Sequence, residues 1–384
     1  MKITFATPLY GCSYWRTVQP AKMIERLGLA EVKLFDHEIS QEKAEEYINW
    51  GDVVVMQSSM GIPMVATVAR LKQMGKTVIG DYDDLSFALS PFNPAYKTMG
   101  LNEVKIKHKE EEEYLWKDGK DGFSIKANYF RYKSLQDLLK TFDAVTTTCK
   151  YIKDRYSKFN PNVYILPNSI DFTLFKPFPK KENKQVRIGW VASDSHYSEI
   201  WMIKRIMRRI FNKYKDDVRF VLFGNLVEIS TEFQKDSYER HDFISLDIYP
   251  IKLASLNLDI GLCPLDNIEF NRAKSQLKWS EYASLKIPSV CSKLEPYDCI
   301  EDGVTGLVAK DEDEFFEKIC LLVEDAKLRE KISYYAYDKN YEDYNLEKNA
   351  ILWVEAYEQT REKCELLSLD KGQLVKDIPK TSLT

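Results

Sequence analysis

Twice along its length this 384-residue chain repeats one rhythm: a short β-rich run, then a helix-length segment with apolar residues three to four apart. In the first series KITFAT, EVKLFD, DVVVMQ, KTVIGD, AVTTTC and NVYILP read as strands, with QPAKMIERL, MVATVARLKQM and SLQDLLKTF as helices between them. The second series has VRIGWV, RFVLFG, DIGLCP, PSVCS and GLVAK, separated by IWMIKRIMRRIFNKY, IKLASL, KSQLKWSEYASLK and DEFFEKICLLVEDA. Strands alternating with helices predict parallel, doubly wound sheets. The expected class is therefore α/β, built as two Rossmann-like halves.

The stretch FTLFKPFPKKENKQ combines prolines with lysines and lacks apolar periodicity. Residues 173–185 are accordingly expected to link an N-terminal domain over 1–172 to a C-terminal domain over 186–343. Residues 344–384 contain NLEKNAILWVEAYEQTREKCELL, a long helix able to dock on either domain. Residues 85–133 break the first series with a loop, LSPFNPAYKTMG, and a charged helix expected through KHKEEEEYLW. An insertion of that size at a strand end faces the ligand crevice and points to function.

Composition narrows the chemistry. Fifty-five basic against fifty-nine acidic residues announce no polyanion partner, so any nucleic-acid contact has to be a local patch. Seven scattered cysteines without a C-x-x-C pair, and four histidines without ligand spacing, predict buried thiols in a reducing cytoplasm and no metal. No window of about 18 apolar residues predicts a membrane span, and the apolar run at the N-terminus is too short for a secretory signal.

In open α/β sheets ligands sit beyond the carboxyl ends of strands. Four clusters lie there. In TPLYGCSYWR, Gly11 permits close backbone approach and Arg16 can reach an anion, although a plain strand-to-helix turn explains the stretch equally well. In GDYDDL, Asp81, Asp83 and Asp84 invite a metal reading and suit acceptor contact or catalytic support, as well as the commoner turn and N-cap roles. In GWVASDSHYSEIW, Ser193, Asp194, Ser195 and His196 crowd a turn whose free N–H groups can bind phosphate. The helix after it carries Lys204, Arg205, Arg208 and Arg209, a solvated face or a polyanion contact.

The fourth cluster is FNRAKSQLKWSEYASLKIPSV. Read as one helix from Lys274, it puts Lys274, Lys278 and Glu281 on one face at i, i+4 and i+7, with Ser275 at the helix start. Two cations beside a helix N-terminus suit an anion, and Lys274 is the first candidate for stabilising its charge.

ILPNSIDFTLFKP, PLDNIEFNRAKSQLKWSEYASLKIPSV and DGVTGLV, in this order, resemble the C-terminal signature of retaining glycosyltransferases with the GT-B fold. The resemblance implies a UDP- or GDP-sugar as donor, bound mostly on the C-terminal domain, with no tightly bound cofactor. Glu281 would hold the ribose, and Lys274, Lys278 and the Ser275 region the diphosphate. The family usually has a second, sugar-contacting glutamate eight residues before the ribose-binding one, where this chain has Ala273; Glu269 or Asn271 are the substitutes nearest by. The family's N-terminal histidine is also lacking, and Asp81 to Asp84 occupy its approximate place. DYDDLSFALSPFNPAYK is similar to bacteriophage-encoded glycosyltransferases, which implies a hydroxymethylated DNA base as acceptor, with Lys105, Lys107, Lys109, Lys126, Arg131 and Lys133 on phosphates. A surface-polysaccharide or lipid-linked glycan acceptor, and a catalytically degenerate sugar-nucleotide binding protein, are the rival readings.

Overall fold

A computed structural model describes the chain apart from residues 9–10, 37, 109–110, 193–195, 197, 225–232, 234–236 and 377–384, with backbone alone for 108 and 368–376. Its strands, numbered in chain order, are β1 (Lys2–Ala6), β2 (Glu31–Phe35), β3 (Val53–Gln57), β4 (Thr77–Tyr82), β5 (Val104–His108), β6 (Glu111–Trp116), β7 (Ala144–Thr147) and β8 (Val163–Ile165), followed by β9 (Val186–Val191), β10 (Val218–Phe223), β11 (Tyr238–His241), β12 (Ile260–Cys263), β13 (Ser289–Ser292) and β14 (Leu307–Ala309). Two six-stranded parallel sheets result, ordered β2-β1-β3-β4-β7-β8 and β11-β10-β9-β12-β13-β14. Every residue of β3 and β4 is buried. That is the pattern of strands covered by helices on both faces, and it is why VVVM of β3 and VIG of β4 read as apolar without alternation.

The eleven strand runs named from the sequence all form strands. Strand β11, YERH, lacks apolar alternation and went unread, as did the helices Gln41–Trp50, Lys150–Tyr156 and Ala326–Asp343. The charged helix expected through KHKEEEEYLW is instead the antiparallel hairpin β5-β6. Its glutamates favour helix locally, but pairing sets Lys107 opposite Glu112 and brings Lys105 Nζ to 3.2 Å from Glu112. Trp116 then anchors the hairpin, donating to the Pro91 carbonyl at 2.7 Å and packing on Tyr96 and Phe123.

The chain crosses between the domains twice, and the two crossings are tied together. Ile170 N donates to Tyr344 O at 2.7 Å, and Leu346 N to Ile170 O at 2.9 Å. The helix Leu346–Lys376 therefore returns to the N-terminal domain, where Trp353, Val354 and Tyr357 pack on Ile3, Phe5 and Met23. In the other direction Tyr14 and Trp15, just after β1, join the apolar cluster of the C-terminal domain, with the Trp15 ring 5.5 Å from Phe175. Apolar burial thus fixes the two sheets with their carboxyl edges toward a common space.

Candidate functional site

In each sheet the strand order reverses once along the edge that carries the loops, between β1 and β3 and between β9 and β12, and there the helices diverge to leave a crevice. The two crevices meet in one cleft of about 290 Å³. Gly11, Cys12, Trp15, Asp83 and Asp84 line it from the N-terminal domain; Ala192, His196, Tyr249, Lys274, Ser275, Lys278 and Glu281 line it from the other. Gly11, at φ +61°, and Gly224, at φ +117°, provide left-handed turns at its rim that a side chain would strain.

The C-terminal wall differs from its sequence reading in one respect. The expected single helix is broken: Glu269–Arg272 forms a short turn, and the second helix is Leu277–Ser284. Lys274 and Ser275 occupy the connection, so Lys274 shares no helix face with Lys278, yet both reach the cleft. Lys274 Nζ lies 4.9 Å from the Phe270 ring centre. Glu281 is 3% exposed, and its Oε2 accepts from Tyr249 Oη at 2.9 Å and from Lys278 Nζ at 3.2 Å. Both donors fall on one oxygen, which leaves Oε1 for a ligand hydroxyl. Tyr249, itself stacked on Phe223 with ring centres 5.4 Å apart, escaped sequence reasoning because it is 32 residues from the carboxylate it orients.

On the N-terminal wall Arg16 already has its anion. Its guanidinium is fully buried and forms a fork on Asp81, with Nη2 to Oδ2 at 2.7 Å and Nε to Oδ1 at 3.1 Å. Thr146 donates to the same carboxylate at 2.7 Å. Arg16 and Asp81 therefore form an internal ion pair that satisfies both charges, and neither is a direct ligand contact. Asp83 and Asp84 do face the cleft, which Cys12 also lines. Burial, and next the neighbouring Asp84 charge, raise the Asp83 carboxyl to about 7. Burial raises Asp84 too, against the attraction of Lys274.

That shift has a measurable sign. Between the ordinary carboxylate range and about pH 7 the folded chain holds a proton that the unfolded chain has released, so stability falls as pH rises through this window. Asp83→Asn removes the charge. The variant is expected to gain on the order of 2 kcal/mol over wild type at pH 8 and nothing at pH 4, read from paired denaturant titrations. An equal gain at both pH values would assign the effect to packing instead.

The phosphate-turn candidates divide. Ser193, Asp194 and Ser195 lie outside the described residues, whereas His196 lines the cleft. Its Nδ1 is 3.5 Å from Glu199 Oε2, and burial followed by the Lys274 charge lowers its pKa to about 4, so it is neutral at pH 7. Burial alone would raise Glu199, but its contacts with His196 and the Asp266 amide hold it down at about 2. The basic face after this turn is zipped onto the helix Glu312–Glu324: Arg205 binds Glu312 and Arg209 binds Asp313, each at 2.7 Å.

Neither substitute proposed for the missing glutamate faces the cleft. Asn271 is fully buried and donates to Glu199 at 2.5 Å and to the Asp266 carbonyl at 3.0 Å. Glu269 reaches across the domain boundary to Arg155 at 2.8 Å and lines a different cavity. Ala273 itself is fully buried in the apolar cluster of the N-terminal domain, and its carbonyl accepts from the Cys149 thiol at 3.5 Å. A glutamate side chain there would have to displace that packing. In the insertion, Lys105 pairs with Glu112, and Arg131 donates to Asn128 at 2.7 Å and to the Thr98 carbonyl; Lys109 lies outside the described residues.

Among the described residues no group of three or more His, Cys, Asp or Glu side chains is disposed to hold a metal ion, and no helix is long and apolar enough to cross a membrane. No family model matches the chain, and no curated protein matches it in sequence. Its architecture does match solved structures. A sucrose-phosphate synthase from Thermosynechococcus elongatus superposes with a TM-score of 0.66 at 12% identity, over 93% of this chain and 98% of that one. A glycosyltransferase from Rickettsia africae gives 0.63 at 10% identity, over 94% and 98%. Anabaena HepE, in complex with UDP and glucose, gives 0.62 at 13% identity, over 94% and 100%. Two six-stranded parallel sheets facing one cleft, shared across nearly the full length of these proteins, give this chain the GT-B fold.

Proposed function

We propose that the chain is a glycosyltransferase that moves a sugar from a nucleoside diphosphate to an acceptor hydroxyl. One observation carries the reading: Glu281, Lys278, Lys274 and the start of the helix Leu277–Ser284 converge in a single interdomain cleft opposite Asp83 and Asp84. Glu281 Oε1 holds the ribose, while the two lysines and Ser275 hold the diphosphate. UDP is the nucleotide to test first, because HepE, alike in fold, binds UDP and glucose.

The reaction we infer proceeds with retention. The bond from the anomeric carbon to the diphosphate oxygen breaks, the acceptor oxygen bonds to the same face, and the acceptor proton passes to the departing phosphate. Negative charge grows on that phosphate, where fixed cations in a dry cleft stabilise it most. Asp83 and Asp84 meet the acceptor. Their neighbour Leu85 opens a second cavity of about 550 Å³, walled by Phe87, Tyr132, Tyr156 and Phe159, with the Tyr156 hydroxyl bonded to the Asp84 carbonyl at 3.2 Å. Aromatic walls suit a planar group, and a hydroxymethylated DNA base is the acceptor we favour.

Calorimetry with UDP tests the donor site. Glu281→Ala is expected to weaken UDP binding roughly 10- to 100-fold, the scale of hydrogen bonds to a charged group. Undiminished affinity would remove Glu281 from the ribose. Incubating the wild type with UDP-sugars and a hydroxymethylated oligonucleotide then tests the acceptor by mass: a hexose or pentose increment supports the base, and an increment only on glycan or lipid acceptors overturns it.

A further inference from the structure

Arg16, excluded above from direct ligand contact, still reaches the donor site through an ordered chain of hydrogen bonds. Its Nη1 donates to Asn168 Oδ1 at 3.1 Å; Asn168 Nδ2 donates to Ser275 Oγ at 2.9 Å. Asn168 is 5% exposed and lines the cleft, and its carbonyl is held by Gln276 Nε2 at 2.7 Å. The guanidinium has donors only, so the amide oxygen must face Arg16 and the amide nitrogen must face Ser275. Asp81, gripping the other edge of Arg16, prevents the guanidinium from turning away.

Ser275 Oγ receives that bond and a longer one, at 3.4 Å, from Leu277 N. Two acceptor positions are thereby used, and only the hydroxyl proton is left over. We infer that Asn168 is a positioning residue: the relay Asp81–Arg16–Asn168–Ser275 polarises the Ser275 hydroxyl so that its proton points into the cleft, as a preset donor to a phosphate oxygen. The relay runs from the N-terminal sheet to the donor site of the other domain, so it also ties phosphate recognition to the closed arrangement of the two halves. A hydroxyl set this way needs no reorganisation when the anion arrives. The inference rests on the proposed nucleoside diphosphate site.

Asn168→Asp tests it, because a carboxylate keeps the Arg16 contact but cannot donate. Its second oxygen accepts the Ser275 proton and turns the hydroxyl away from the ligand. UDP binding by calorimetry is expected to weaken roughly 10- to 100-fold in Asn168→Asp and by a similar factor in Ser275→Ala, while Ser275→Thr, which keeps the hydroxyl, stays near wild type. The new carboxylate also repels phosphate, so the deciding measurement is a double-mutant cycle. If the relay acts through Ser275, adding Asn168→Asp to Ser275→Ala costs little more. Two fully additive losses would overturn the relay and leave plain repulsion, as would an Asn168→Asp protein that binds UDP like wild type. A folded wild type that binds none of UDP, GDP and ADP would overturn the donor site itself, and the relay's role with it.

Discussion

Lys274→Ala is expected to lower turnover roughly 100- to 1,000-fold, the scale of removing one preorganised group from a developing negative charge. The reason lies in where this cation sits. It occupies the break between two short helices, and its charge is felt on both walls: it opposes the rise of Asp84 on one side and depresses His196 on the other. A charge so central acts on whatever anion enters the cleft. In the proposed reaction the phosphate gains charge as the sugar departs, so the loss should fall mainly on the chemical step, with a smaller effect on UDP affinity. Single-turnover rates at saturating UDP-sugar separate the two. An unchanged rate constant with weaker binding would reassign Lys274 to ground-state binding, and Lys274→Arg, which keeps a cation, should recover part of the rate.

The altered glutamate position makes sense in the same geometry. In this chain residue 273 packs among the apolar side chains of the N-terminal domain, and Glu269 is committed to Arg155 across the boundary. The segment that precedes the helix Leu277–Ser284 therefore closes the interface between the domains. Across the cleft from Glu281 stand two further acidic groups, Asp83 and Asp84, from the other wall. One of them keeps a proton into the neutral range and so both donates and accepts, which suits the acceptor hydroxyl proposed to meet them.

How much of this was legible in the sequence follows from how local each signal is. β3 and β4 are buried at every position, so their apolar runs identify them without context. The residues of the helix Leu277–Ser284 are neighbours in the chain, and Lys278 and Glu281 keep their helical spacing in space. The hairpin was missed because its stability comes from pairing with an opposite strand, whereas a run of glutamates read alone favours helix. From the sequence Arg16 is open between an anion contact and a plain turn, because its partner stands 65 residues away, and burial, which decides between ligand and ion pair, has no local mark. Asn168 and Ser275 are separated by 107 residues and two domains, so neither bond could be read before the halves were brought together.

Arg16→Met should then be the most damaging single substitution for stability. It leaves Asp81 with Thr146 as the partner of a carboxylate that is 1% exposed, and breaking a buried pair on one side costs about 3–5 kcal/mol. Replacing both partners tests the cause. Arg16→Met combined with Asp81→Asn removes the uncompensated charge, so denaturant titration should show most of the stability restored, although Asn168 then lacks its donor and UDP affinity should stay low. Stability and affinity recovering together would show that Arg16 matters only as structure; stability recovering alone would tie this buried charge pair to the donor site it never touches.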